Sequence, residues 1–133
     1  MTLPIKESSE TVFLPVDLVL WIESANKYAI LHTAKRAFVV RRTIESLLEQ
    51  LKSESFLRIH RTAVIRKGAI WSVRPLHHGD QIVVLTDGTV LTLSRTYRAA
   101  FFAEIQQSSR MTDSNQPSSP YKPIPRSASW REQ

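Results

Sequence analysis

Ile82-Val83-Val84-Leu85-Thr86-Asp87-Gly88-Thr89-Val90-Leu91-Thr92-Leu93 is the stretch whose reading decides the fold. Two runs of aliphatic and β-branched residues flank an Asp-Gly pair, a strong short-range signal for a β-hairpin. Read as a two-residue type I′ turn, Asp87-Gly88 pairs Thr86 with Thr89, Val84 with Leu91 and Ile82 with Leu93 on one face. The other face then carries Leu85 with Val90 and Val83 with Thr92. Both faces are largely apolar, so both need cover. Stacked sheets supply it, whereas a lone half-exposed sheet does not.

Outward from this hairpin the pattern stays mostly β. Leu3–Lys6 and Thr11–Leu14 are short strand candidates. Leu18-Val19-Leu20-Trp21-Ile22 is an unbroken apolar run, short enough for a strand buried on both faces, with Trp21 in the core. Tyr28–Thr33 and Ala37–Val40 follow, joined by a basic Lys35-Arg36 connection, and Phe56–Arg66 and Ala69–Arg74 are further β-rich segments. One amphipathic helix interrupts them: Ile44, Leu47, Leu48 and Leu51 recur at helical spacing, Thr43 is placed to cap the N-terminus, and the exposed face is acidic. A second helix is expected from Arg95 to Ile105, with Tyr97, Phe101 and Ile105 as its buried stripe. The expected class is mainly β: stacked antiparallel β-sheets with one or two short amphipathic helices.

The character of the chain changes near its end. Four of the seven prolines lie beyond Gln106, among serine, glutamine and asparagine, and no apolar periodicity survives there. Such a segment buries too little apolar surface to offset its ordering entropy. The expected organisation is a domain over 1–106 and a disordered Ser/Pro-rich tail over 107–133. The sequence has no run of the roughly 18–20 apolar residues that a membrane helix needs, and Met1 to Glu10 holds no apolar signal-peptide core. Cysteine is absent, so disulfides and thiolate metal sites are excluded, in keeping with a cytoplasmic protein. The net charge is +6, and residues 11–105 hold 13 Lys/Arg against 8 Asp/Glu, so most of the excess sits in the expected domain. A basic surface of this kind attracts polyanions, nucleic acid foremost.

Enzymatic chemistry finds little support. The three glycines, Gly68, Gly79 and Gly88, cannot build a phosphate-binding loop. No serine stands in a Gly-x-Ser-x-Gly setting. His77-His78 project oppositely if on a strand and have no cysteine or carboxylate cluster beside them, so they read as a loop at the mouth of the hairpin. No cofactor, metal or small-molecule substrate is expected, and the chain reads as a non-enzyme.

The ordered set Trp21-Ile22-Glu23-Ser24-Ala25-Asn26-Lys27-Tyr28, the amphipathic helix, Phe56-Leu57-Arg58-Ile59-His60-Arg61-Thr62, Asp87-Gly88 and Ser94-Arg95 resembles the LytTR family of bacterial DNA-binding domains. The resemblance runs from about Leu3 to Ile105. It implies a sequence-specific transcriptional regulator that contacts duplex DNA through loops at one edge of its sheets, entering neighbouring major grooves and touching the minor groove between them. Carried onto this chain, the first contact loop is Ser24 to Tyr28, with Asn26 and Lys27 foremost. The second follows the His60-Arg61-Thr62 block and brings Arg61, Arg66 and Lys67. The third is the Ser94-Arg95 corner, with Arg98 one turn on. Arginines suit this work because they bond bidentately to the major-groove edge of guanine. His60 and Arg58, inside the apolar block, read as structural.

Two positions depart from the family pattern. Arg66 stands where asparagine is common, so a minor-groove contact there would rest on charge rather than amide hydrogen bonding. Thr96 stands where a second basic residue often follows Ser-Arg. The family commonly carries a receiver domain or membrane segment ahead of this one. Here the resemblance begins almost at Met1, and the expectation is a standalone domain without an upstream sensor. A domain this small reads about half of a typical site, which points to dimerisation on paired half-sites. The alternative is a protein-interaction module that keeps the fold without DNA sequence specificity.

Overall fold

The computed structural model describes residues 1–52, 54–76 and 79–112, the side chains of 107–112 excepted. It contains three antiparallel sheets and two helices, as the sequence class requires. The chain divides into two compact units, Met1–Ala69 and Ile70–Gln133.

In the first unit, β1 (Thr2–Glu7) and β2 (Glu10–Pro15) form a hairpin. A 3-10 turn, Val16–Leu18, leads into β3 (Val19–Ala25), which is followed by β4 (Tyr28–Thr33), β5 (Ala37–Val40), the helix α1 (Ile44–Gln50), β6 (Phe56–His60) and β7 (Ala63–Arg66). The last five strands make one sheet in the order β5-β4-β3-β7-β6, so β3 is paired along both edges. Leu3, Ile5 and Leu14 from the hairpin and Ile44, Leu47 and Leu51 from α1 pack with Ile22, Leu31, Phe38 and Val64 of the sheet. Hairpin and helix thus cover one face of the five-stranded sheet. As the spacing predicts, Thr43 caps α1, its side chain accepting from the Ser46 N–H at 3.0 Å.

The apolar run at the start of β3 is not a straight strand. Leu18 falls in the 3-10 turn and is 54% exposed. A register shift between Val19 and Trp21 inserts a bulge, beyond which Ile22 faces the core and Trp21 faces the other way. Trp21 is therefore half-buried rather than a core residue, and its ring stacks on His32 at a centroid distance of 4.2 Å. His32 Nε2 lies 2.9 Å from Glu23 Oε1.

In the second unit, β8 (Ile70–Pro75), β9 (Gln81–Leu85) and β10 (Val90–Leu93) form a three-stranded sheet with β9 central, and α2 (Arg95–Thr112) follows. Val83, Val84 and Leu85 are fully buried, so β9 is covered on both faces as expected. The hairpin register differs from the sequence reading by one residue: Val90 pairs with Val84, Leu91 with Val83 and Thr92 with Ile82. The cause is the turn. Gly88 has φ 95° whereas Asp87 does not reach positive φ, and a type I′ turn needs both. Instead Gly88 N–H donates to the Leu85 carbonyl, Leu85 N–H donates to the Thr89 carbonyl, and Thr89 N–H donates to Asp87 Oδ1. This is a three-residue loop, a type I turn closed by a left-handed glycine. The helix α2 continues to Thr112, past the expected domain end at 106, with Phe101 fully buried and Tyr97 and Ile105 half-buried. The expectations for His77-His78 and for the segment after 112 lie outside the described residues. Among the described residues no helix is long and apolar enough to cross a membrane.

The turn geometry makes Gly88 a test of the register. A Cβ at this position meets no atom within 4 Å, so any cost comes from the backbone alone. Gly88→Ala should lose about 1–2 kcal/mol in urea unfolding and Gly88→Asn distinctly less, because asparagine tolerates the left-handed region. An Ala variant as stable as the parent would count against this turn.

Candidate nucleic-acid interface

The first unit brings two turns together. β3 runs antiparallel to β7, with Glu23 opposite Ala63, and Ser24 N–H donates to the Thr62 carbonyl at 3.0 Å. The β3–β4 turn, Asn26-Lys27, and the β6–β7 turn, Arg61-Thr62, therefore lie side by side at one end of the sheet. Asn26 holds φ 62° in a two-residue loop closed by the Ala25–Tyr28 pair. A positive φ at the first loop position alone is the type II′ pattern, usually given to glycine. Asparagine adopts this backbone at some cost, and an uncommon conformation at an exposed tip draws attention to its side chain. Asn26, Lys27 and Arg61 are all exposed. Their side chains make no hydrogen bond or ion pair among the described residues.

A neighbouring arginine fixes this surface from beneath. The half-buried Arg58 guanidinium donates to the His60 carbonyl at 3.2 Å and to the Arg61 carbonyl at 2.7 Å, and lies 3.5 Å from Glu45 of α1. His60 Nδ1 is 3.0 Å from Thr62 Oγ1 and accepts from the Thr62 N–H. Both residues are structural, as the sequence suggests: they hold the backbone of the turn from which Arg61 projects.

Arg66 and Lys67 lie at the other end of β7, apart from Asn26, Lys27 and Arg61. Arg66 Nε donates to the Val19 carbonyl at 2.7 Å, beside the β3 bulge. Gly68 leaves room for the same guanidinium: a Cβ there would sit 2.8 Å from Arg66 Nη1. Arg66 thus supports the bulge through Nε, and its two terminal nitrogens make no hydrogen bond among the described residues. Lys67 is half-buried, and its N–H donates to the Ser55 carbonyl.

In the second unit, Ser94 caps α2, its Oγ accepting from the Thr96 N–H at 3.2 Å. Arg95 and Arg98 follow in the first turn, where positive side chains oppose the helix dipole. Arg95 Nε lies 3.6 Å from Asp80 Oδ1, and Arg98 donates to the Gly79 carbonyl. The two arginines therefore tie the helix start to the β8–β9 connection, with Arg95 still 62% exposed. The sequence reading misses Gly79 and Asp80 as their partners; the one hint is an acid next to a glycine at the mouth of the hairpin. Among the described residues no group of three or more histidines and carboxylates is arranged to hold a metal ion.

Comparison with known proteins agrees with this architecture. The family described as the LytTr DNA-binding domain matches residues 9–106. The chain is 24% identical over 97 residues to the Sensory transduction protein LytT of Bacillus anthracis, and equally so to that of Bacillus cereus; the match covers 73% of this chain and 39% of each relative. In fold it resembles the LytTr DNA-binding domain of a putative methyl-accepting/DNA response regulator from Bacillus cereus, with a TM-score of 0.68 at 18% identity, over 79% of this chain and 95% of that one. With the family match spanning well over half of its length, this chain belongs to the LytTR family of DNA-binding domains.

Proposed function

We propose that this protein is a sequence-specific, duplex-DNA-binding transcriptional regulator, and not an enzyme, acting in the cytoplasm of a bacterial cell. The observation that carries the reading is the pair of adjoining turns in the first unit. Their exposed Asn26, Lys27 and Arg61 have no partner among the described residues and stand on a backbone held by Arg58 and the Ser24–Thr62 bond. A rigid tip with an amide and two cations combines base reading with phosphate contact. Arg66 and Lys67 add phosphate or minor-groove contacts from their end of β7, and Arg95 and Arg98 add theirs from the start of α2. Because one domain offers few base-reading side chains, two copies bind paired half-sites spaced near one helical turn.

Selection from a randomised duplex library at near-physiological salt tests the proposal, with recovery of a defined motif as the expected result. Repeated elements about 10 base pairs apart should appear in the enriched pool. An unenriched pool despite measurable binding would favour backbone-only affinity, and no binding would favour a protein-interaction module.

Two variants separate the contacts. Lys27→Ala should weaken binding on every sequence and make the slope of log K against log salt shallower, from roughly −4.5 for five neutralised phosphates to about −3.6 for four. Arg61→Ala should instead relax preference at defined base pairs, by about 1–3 kcal/mol per lost bidentate contact.

Asn26→Gly isolates the side chain from the turn. Glycine suits φ 62° but loses more entropy on folding, so the unfolding free energy should stay within about 1 kcal/mol of the parent. Specific DNA affinity should nevertheless fall. Unchanged affinity would remove Asn26 from the interface.

A further inference from the structure

The end of the five-stranded sheet that carries the two adjoining turns has a third member. The last pair between β5 and β4 is Val40 with Ala29. Arg41 comes one residue after Val40, and Lys27 two residues before Ala29, so both leave the sheet at the same end. The strand order β5-β4-β3-β7-β6 sets the succession along that end: Arg41, then the Asn26-Lys27 turn, then the Arg61-Thr62 turn. Neighbouring strands lie about 4.8 Å apart, so Arg41 starts about 7 Å from the middle of the first turn and about 17 Å from the middle of the second.

The cations around β5 have different occupations. Lys35, Arg36, Arg41 and Arg42 fall within eight residues that contain no acid. Arg36 pairs with Glu7 at 2.6 Å and lies over the Phe38 ring. Arg42 donates to Ser46 Oγ, the Ser46 carbonyl and Gln50 Oε1 of α1. Arg41 is exposed, and its side chain makes no hydrogen bond or ion pair among the described residues. A cation set among others of its own sign raises the local potential for an incoming anion.

We propose that Arg41 grips a backbone phosphate of duplex DNA at the flank of the groove that the two turns enter, and so fixes how the domain is turned on the duplex. The inference rests on the DNA-binding reading above and adds a residue outside the three contact loops expected from the sequence. Its basis is a comparison of widths. The major groove is about 12 Å wide. The two turns, about 10 Å apart on the same strand spacing, fit within it, whereas the row from Arg41 to Arg61 does not. With the turns in the groove, Arg41 meets the sugar-phosphate wall. The backbone argues the same way. β5 is bonded along one edge, and Arg41 follows its last pair, so it lacks the cross-strand support that holds the turn of Arg61. A phosphate contact tolerates that looseness, while base reading does not.

The test uses the full chain, a duplex carrying the selected motif and a duplex of scrambled sequence. Arg41→Gln should weaken binding to both by the same factor, about fivefold at physiological salt, and make the slope of log K against log salt shallower by about 0.9. Arg41→Lys should restore most of the affinity, because a phosphate accepts a point charge. Lys35→Gln removes the same charge at the opposite end of β5, about 20 Å away and beyond the screening length, and should stay within about twofold of the parent. Both glutamine variants should keep the parent's unfolding midpoint. Single methylphosphonate substitutions in the motif duplex should reveal one phosphate whose neutralisation weakens the parent but not Arg41→Gln. The proposal is overturned if Arg41→Gln leaves affinity and slope unchanged, if Lys35→Gln matches its effect, or if Arg41→Gln changes preference at defined base pairs. A parent that binds neither duplex overturns the DNA-binding reading as well, which separates the two failures.

Discussion

The two-sided pairing of β3 is the constraint on which the first unit depends. Its backbone is bonded to β4 on one edge and β7 on the other, and neither pairing can slip without exchanging core and outer faces. Ile22, opposite Leu31 on one side and Val64 on the other, pins both registers through a shared core. The same registers carry the strand ends into two neighbouring turns. The position of Lys27 relative to Arg61 is thus set by buried apolar residues away from the turns themselves.

Much of this was legible in the sequence, and the misreadings have physical causes. β4, β5 and α1 announce themselves by alternation, helical spacing and a threonine cap, because each presents one clear face to the core. The run from Leu18 to Ile22 hides its geometry, since an apolar pattern cannot reveal a bulge; Val19 and Leu20 are both buried, and Trp21 turns to meet His32. Asp87-Gly88 fits two turns that differ by one residue in register. The Asp87 side chain, accepting from the Thr89 N–H, stabilises the three-residue form. At the candidate site the family resemblance points to the basic residues, while their different side-chain contacts emerge only from the structure.

That difference is the main lesson of the charge distribution. A net charge of +6 counts every cation alike. In the structure Arg42 is bound to α1, Arg58 supports a turn, Arg66 serves a bulge carbonyl, and Arg98 holds the β8–β9 connection. Each satisfies backbone or side-chain acceptors that would otherwise depend on water. Lys27 and Arg61 have no such duty among the described residues. Arginine's five donors leave room for more than one acceptor, and among the described residues Arg66 uses only Nε, on Val19.

The outer strand β5 has a further consequence for how copies of this protein behave when crowded. A strand at the margin of a sheet offers unpaired backbone groups to any similar strand, which invites aggregation. Here that strand is four residues long, with Lys35 and Arg36 before it and Arg41 and Arg42 after it. Two molecules approaching margin to margin would bring these cations together before any backbone bond formed.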